Sequence, residues 1–352
     1  MKYLVDISQK HAQKIQKLVG QGDYEGIAQF INVAIENQLY LEESGLPTFT
    51  EDKKITNGEF QTDNNADVQN TKGINCLKLT TIQANPQFVS SPSYMQLVLG
   101  QQEGKEEMFW PWGQINKILP IKIGVRTLFR ELKTNDRILL DDFAKKAVKE
   151  AAYIGQVIRL HEDKLRKLRG ERISAGLPKV DDEKSQTRYK AQFLAYGRKD
   201  GLLDGAMALF RFANIEVSNG KHMIGLTQAG IDFAKIPNPV LDENNLDKSL
   251  DQEEIDFYMA HARSNVKSEF AGIKWILTKI HQGINERESL NSELKKEFAK
   301  LWDASDAVIN TQRAGLMARM FELSLFDKEK KGIYVTYHLN DFAKSFLNHI
   351  IK

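Results

Sequence analysis

Two stretches of this chain, one centred near Leu226 and the other near Leu339, spell out the same succession of elements, and that repeat restricts the fold more than any other feature. In the first, a helix over about 202–211 (LLDGAMALFR) leads to a strand, IEV at 215–217. A glycine-containing turn, SNGK, a second strand, HMIGL, and a short helix, TQAGIDFAKI, follow. In the second, a helix over about 305–323 (SDAVINTQRAGLMARMFEL) leads to FDKE, the turn KKG, the strand IYVTYHL and the helix NDFAKSFLNHI. At one constant offset, Leu226 matches Leu339 and Thr227 matches Asn340. Thr and Asn are both good helix N-caps, since their side-chain oxygens accept from a free first-turn amide. The reading is helix, β-hairpin, capped helix, twice over. Apolar residues at helical spacing place further helices upstream, at 122–132 and 186–198 for the first copy and at 264–282 and 289–301 for the second.

Helices followed by a twisted hairpin are the plan of a winged helix-turn-helix. The stretch QRAGLMARMFELSLFDKEKKGIYVTYHLNDFAKSFL resembles winged-helix regulators, over roughly 250–352 and more loosely over 120–236. The resemblance implies DNA contacts from Gln312, Arg313 and Arg319 on the recognition helix and from Lys221, Lys330 and Lys331 on the wings. A helical wheel puts Leu316, Met320 and Leu323 in the core stripe, with Arg313 beside it. The opposite face, Ala307, Thr311, Ala314, Gly315 and Ala318, is small rather than basic, so helix 305–323 is also a candidate surface for a protein partner. In the first unit, Arg188, Lys190, Arg198 and Lys199 lie on or just after the second helix, where each would neutralise a phosphate.

The N-terminus carries a different pattern. KYLVDI at 2–7 alternates like a strand, Ser8 can cap a helix over 9–19, GQGD is a turn, and a second amphipathic helix runs over about 25–42. One strand and two helices bury too little apolar surface to fold alone. Residues 2–43 resemble the ribbon-helix-helix family, which implies a homodimer through residues 1–43. Lys2, Leu4 and Asp6 would then face the DNA groove. Asp6 departs from the basic or amide residues usual there.

Residues 44–78 are polar and read as a linker, and 77–99 hold β-like runs without an assigned role. Phe109, Trp110 and Trp112 form either a clamp for a base or an anchor into the next domain. A long helix is expected over 138–169. Its heptad seam (Ala144, Ala147, Ala151, Ile154, Ile158, His161, Leu165, Leu168) would serve a dimer coiled coil or pack on its own chain. The expected architecture is mainly α with small β: an arm at 1–43, the linker, a first unit at 79–236 and a second at 237–352.

Charge is uneven although the net is only +2. Residues 22–72 carry ten acids and three bases, whereas residues 122–199 carry twenty Lys/Arg and eleven Asp/Glu, a local field that attracts polyanions. Phosphate-loop, dinucleotide and HExxH spacings are missing, and VDDEK at 180–184 lies in a polar stretch with no strand to hold carboxylates around a metal. Cys76, the single cysteine, has no nearby base. No apolar run reaches membrane-spanning length and the N-terminus lacks a signal-peptide core. The expectation is a non-enzymatic cytoplasmic protein with no cofactor or metal. It would bind double-stranded DNA as a dimeric transcriptional regulator or as a partition or replication factor of a mobile element. The alternative is an adaptor subunit of a larger nucleic-acid-processing or defence complex.

Overall fold

The computed structural model describes residues 9–20, 27, 28, 31, 112–133, 135–197, 203–218, 221–331 and 334–351. Helix α1, Gln9–Gly20, forms where the sequence places one after Ser8, and it buries Ile15. Residues 27, 28 and 31 are helical. The strand at 2–7, the linker, the β-like runs, Phe109 and Trp110 lie outside the described residues.

Trp112 is an anchor: it is buried and meets Phe210 edge-on at 5.5 Å. Helix α2, Leu119–Leu132, starts with Pro120, whose missing N–H costs nothing in a first turn, and is buried over nearly its whole length. Strand β1, Ile138–Leu139, runs straight into helix α3, Leu140–Lys164. Ala144, Ala147, Ala151, Ile154 and Ile158 of the heptad seam are buried in the chain's own core, so the seam is no coiled coil. The helix stops at Lys164, short of the expected 169, and leaves Leu165 and Leu168 more than half exposed.

The first unit continues through α4 (Glu183–Phe193), β2 (Tyr196–Gly197), β3 (Leu203–Asp204), α5 (Ala206–Leu209), β4 (Ala213–Ser218), β5 (Lys221–Leu226) and α6 (Gln228–Lys235). The helix expected over 202–211 is cut to α5, because Leu203 and Asp204 pair with Gly197 and Tyr196 in a small antiparallel ladder. The amide of Met207 then donates to the carbonyl of Leu194, so α5 resumes close to where α4 ends. Helices α7 (Pro239–Asp242) and α8 (Gln252–Asn265) lead to the second unit. It comprises α9 (Lys267–His281), α10 (Arg287–Trp302), α11 (Asp306–Glu322), β6 (Phe326–Lys331), β7 (Tyr334–Leu339) and α12 (Asp341–Ile351).

The two units repeat each other bond for bond around their hairpins. Ala213 pairs with Leu226 and Ser218 with Lys221; at the equivalent positions of the second unit, Phe326 pairs with Leu339 and Lys331 with Tyr334. In each unit a short segment after the first helix adds to the second hairpin strand: Leu139 pairs with Met223, and Glu286 bridges to Thr336. The helix before each hairpin closes with the same Schellman motif. Arg211 (φ 57°) and Ser324 (φ 53°) occupy the left-handed region. The amide of Phe212 donates to the Met207 carbonyl as that of Leu325 does to Met320, and Arg211 donates to Ala208 as Ser324 does to Phe321. These bonds satisfy carbonyls that a helix end leaves free. A non-glycine residue with positive φ is strained, and an equivalent outside group holds it in both units. Thr227 Oγ1 donates to the Arg211 carbonyl, and Asn340 Nδ2 to the Ser324 carbonyl. Those two side chains also cap the closing helices, accepting from Gly230 N and Ala343 N.

The core does not break at the expected boundary between residues 236 and 237. One hydrophobic cluster runs from Trp112 to Leu347. Lys122 of α2 pairs with Glu254 of α8 at 2.9 Å, and Arg126 with Asp242 at 2.6 Å. Among the described residues no helix is long and apolar enough to cross a membrane.

Candidate nucleic-acid interface

Helix α4 begins where the Asp182 carboxylate accepts from Ser185 N at 3.0 Å, which gives one acid of the 180–184 loop a capping role. Its inner face is aromatic. Tyr189 and Phe193 stack at 5.8 Å, and the Tyr189 hydroxyl donates to the Pro120 carbonyl at 3.0 Å. With those two residues inward, 3.6-residue periodicity sends Lys184, Thr187, Arg188 and Ala191 outward. Lys184 and Arg188 are exposed, one turn apart, and without a carboxylate partner among the described residues. Small Thr187 and Ala191 beside them let a surface approach closely. Lys190 points sideways to Asp141 at 3.5 Å, so its charge is partly met.

The chain leaving α4 runs onto the hairpin. A Cβ on Gly197 would stand 3.0 Å from His222 Cε1, so β2, which follows α4, touches the start of β5. Lys221 and His222 are exposed there. Arg198 and Lys199 fall outside the described residues, as does Lys2. Of the basic segment's cations, Lys122 and Arg126 do not contribute to an outer field, because both are buried in ion pairs.

The helix before the second hairpin, α11, is the counterpart of α5 rather than of α4, and three expected contacts on it are corrected. Arg319 is fully buried. Its guanidinium donates to both Glu269 oxygens at 2.8 and 2.6 Å, and to the carbonyls of Trp112 at 3.3 Å and of Ile115. Gln312 is buried too, its Oε1 accepting from Gly113 N at 2.5 Å. Neither reaches a duplex. Arg313 is likewise 4% exposed, as its place beside the core stripe implied. The small face of α11 is partly taken by the chain itself, since a Cβ on Gly315 would stand 2.1 Å from the Gly113 carbonyl oxygen. That contact occupies part of the surface expected for a protein partner. What stays exposed on the helix, Asp306, Thr311 and Ala314, carries no positive charge. Lys330 and Lys331 are exposed on β6, with Lys331 paired to Glu329 at 2.9 Å.

Sequence reasoning passed over Lys184. The signal was its spacing of four from Arg188, which becomes a face only once Tyr189 and Phe193 are known to point inward. No protein-family model, curated protein or solved structure matches the chain.

Proposed function

We propose that the chain binds double-stranded DNA through its first helix–hairpin unit, as a winged-helix module would. The second unit is a structural copy, packed into the same core. One observation carries the reading: Lys184 and Arg188 stand on the outer face of α4 with no ion pair among the described residues, and β2, the short strand that follows that helix, touches the hairpin that carries Lys221. Phosphate contacts from such cations position a duplex, and small neighbours admit it to the helix face. A dimer through residues 1–43, serving a regulator or a partition or replication factor, remains part of the proposal, resting on the sequence pattern of the arm.

The test is a salt series with random duplex. Affinity should fall steeply between about 50 and 200 mM salt, as counterion release requires. Replacing both Lys184 and Arg188 by Ala should weaken binding and reduce the log–log salt slope by about 2, one for each lost phosphate contact. A flat salt response in the wild-type chain would remove the proposal.

A further inference from the structure

Buried cations in this protein fall into two groups. Lys122, Arg126 and Arg319 each meet a carboxylate, at 2.9, 2.6 and 2.6 Å. Lys117 and Arg313, 7% and 4% exposed, have no ion pair among the described residues. Arg313 Nε donates to the neutral amide oxygen of Asn291 at 2.6 Å, and its guanidinium also meets the Tyr337 hydroxyl. Nearby, the Lys328 ammonium sits 3.6 Å from the centre of the Phe321 ring, although much of the residue is exposed on β6. Arg287 Nε is buried without a hydrogen-bond acceptor, with Glu288 Oε1 standing 3.6 Å away. These groups feel one another. Desolvation, then Lys117 and Arg313, push the Lys328 ammonium down to about 8. Desolvation also lowers Arg313; Arg287 adds to that effect, while Tyr337 and Glu288 oppose it.

The internal repeat shows that the hairpin does not need this arrangement. Lys328 and Tyr337 face each other across the strands at the positions that Ile215 and Ile224 hold in the first hairpin. That earlier pair is fully buried and aliphatic. The same joint therefore closes with two isoleucines in one unit, and with a lysine beside two buried cations in the other. Keeping Lys117 and Arg313 from water with no ion pair among the described residues is costly, and groups kept at such a cost point to a ligand.

We infer that Lys117, Arg287, Arg313 and Lys328 form a binding site, beneath the second hairpin, for the phosphate group of a small solute. Several converging cations suit a compact, multiply charged anion, and a guanidinium fork matches phosphate oxygens. Lys117 and Arg313 are too enclosed for a backbone phosphate of a duplex to reach, so the proposed ligand is a small anion, inorganic phosphate or the terminal phosphate of a nucleotide, approaching on the side of exposed Lys328. This anion site is independent of duplex binding, and its test needs no DNA.

The experiment is a thermal melt of the full chain in chloride, against inorganic phosphate and against adenosine monophosphate at matched ionic strength. A saturable rise in Tm with phosphate identifies the free anion, and a rise at lower concentration with the nucleotide identifies a phosphate ester; either supports the site. No saturable rise with either probe overturns it. Lys328→Ile, which copies Ile215 of the first unit, should weaken the apparent affinity at least about tenfold. Lys328→Gln, which keeps a polar side chain of similar reach, should do the same. Undiminished affinity in a folded variant would overturn the assignment, and phosphorus NMR line broadening on the wild-type chain gives a second reading of binding.

Discussion

Replacing Arg319 by Met separates a core role from a DNA role at a position where the winged-helix pattern suggests a DNA contact. The guanidinium is fully buried, bridges both oxygens of Glu269, and ties α11 to the carbonyls of Trp112 and Ile115. Methionine fills similar volume but leaves the Glu269 carboxylate, itself 1% exposed, without its cation; the Tyr258 hydroxyl at 3.2 Å would be its remaining donor. Removing one partner of a buried pair costs about 3–5 kcal/mol. The freed Ile115 carbonyl adds about 1 kcal/mol where water does not reach it, while that of Trp112 still accepts from Ile115 N. The expected loss is therefore about 4–6 kcal/mol, read by urea denaturation of the intact chain. Removing both charges, as Arg319→Met with Glu269→Leu, should recover most of it, because an apolar replacement of a whole buried pair is often close to neutral. Whatever fraction of the single variant is folded should bind duplex with the wild-type salt slope. A loss below about 1 kcal/mol together with a shallower salt slope would show that Arg319 faces phosphate and that its burial against Glu269 is wrong.

Gly315→Ala should destabilise by about 1–3 kcal/mol in the same assay, because the new Cβ meets the Gly113 backbone; on an exposed helix the same change would instead stabilise by about 1 kcal/mol. Thr227→Ala and Asn340→Ala should each cost about 1–2 kcal/mol by thermal melt, and by similar amounts, since each side chain caps a closing helix and holds the left-handed joint before it; a loss at one position only would deny the equivalence of the joints. Lys328 titrates near 8 in the folded chain against an ordinary 10.5. Between those values the unfolded chain holds the proton that the folded chain has released, so the Lys328 contribution to stability rises with pH across that window. Measured without phosphate, Lys328→Ile should be more stable than wild type at about pH 7, and the advantage should shrink from pH 8 toward 10.5. An advantage that grows with pH would contradict the desolvated ammonium.

The repeat was legible because its marks are local: two short strands around a tight turn, then Thr or Asn ahead of an amphipathic helix. The left-handed joints at Arg211 and Ser324 were not, since neither is a glycine and the side chains that hold them, Thr227 and Asn340, lie beyond the hairpin. Helix α5 was overestimated because LLDGAMALFR has helical spacing throughout, and only the pairing of Leu203 and Asp204 with Gly197 and Tyr196 shows where the helix must start. The heptad seam of α3 was legible as a stripe but not as to its partner, which is the chain's own core. Arg319 misled the reading because a buried arginine and a DNA-facing arginine look alike until Glu269, two helices earlier in the chain, is placed against it. Lys122 and Arg126 misled the charge count in the same way.

Hydrogen–deuterium exchange on the full chain, with and without saturating duplex at about 50 mM salt, puts the central claim to its most direct test. Added protection should appear on the amides of α4, Glu183–Phe193, and of the hairpin strands Ala213–Ser218 and Lys221–Leu226, while α11, Asp306–Glu322, exchanges as it does in the free protein. Protection that falls on α11 and leaves α4 unchanged would contradict the assignment of the duplex to the first unit.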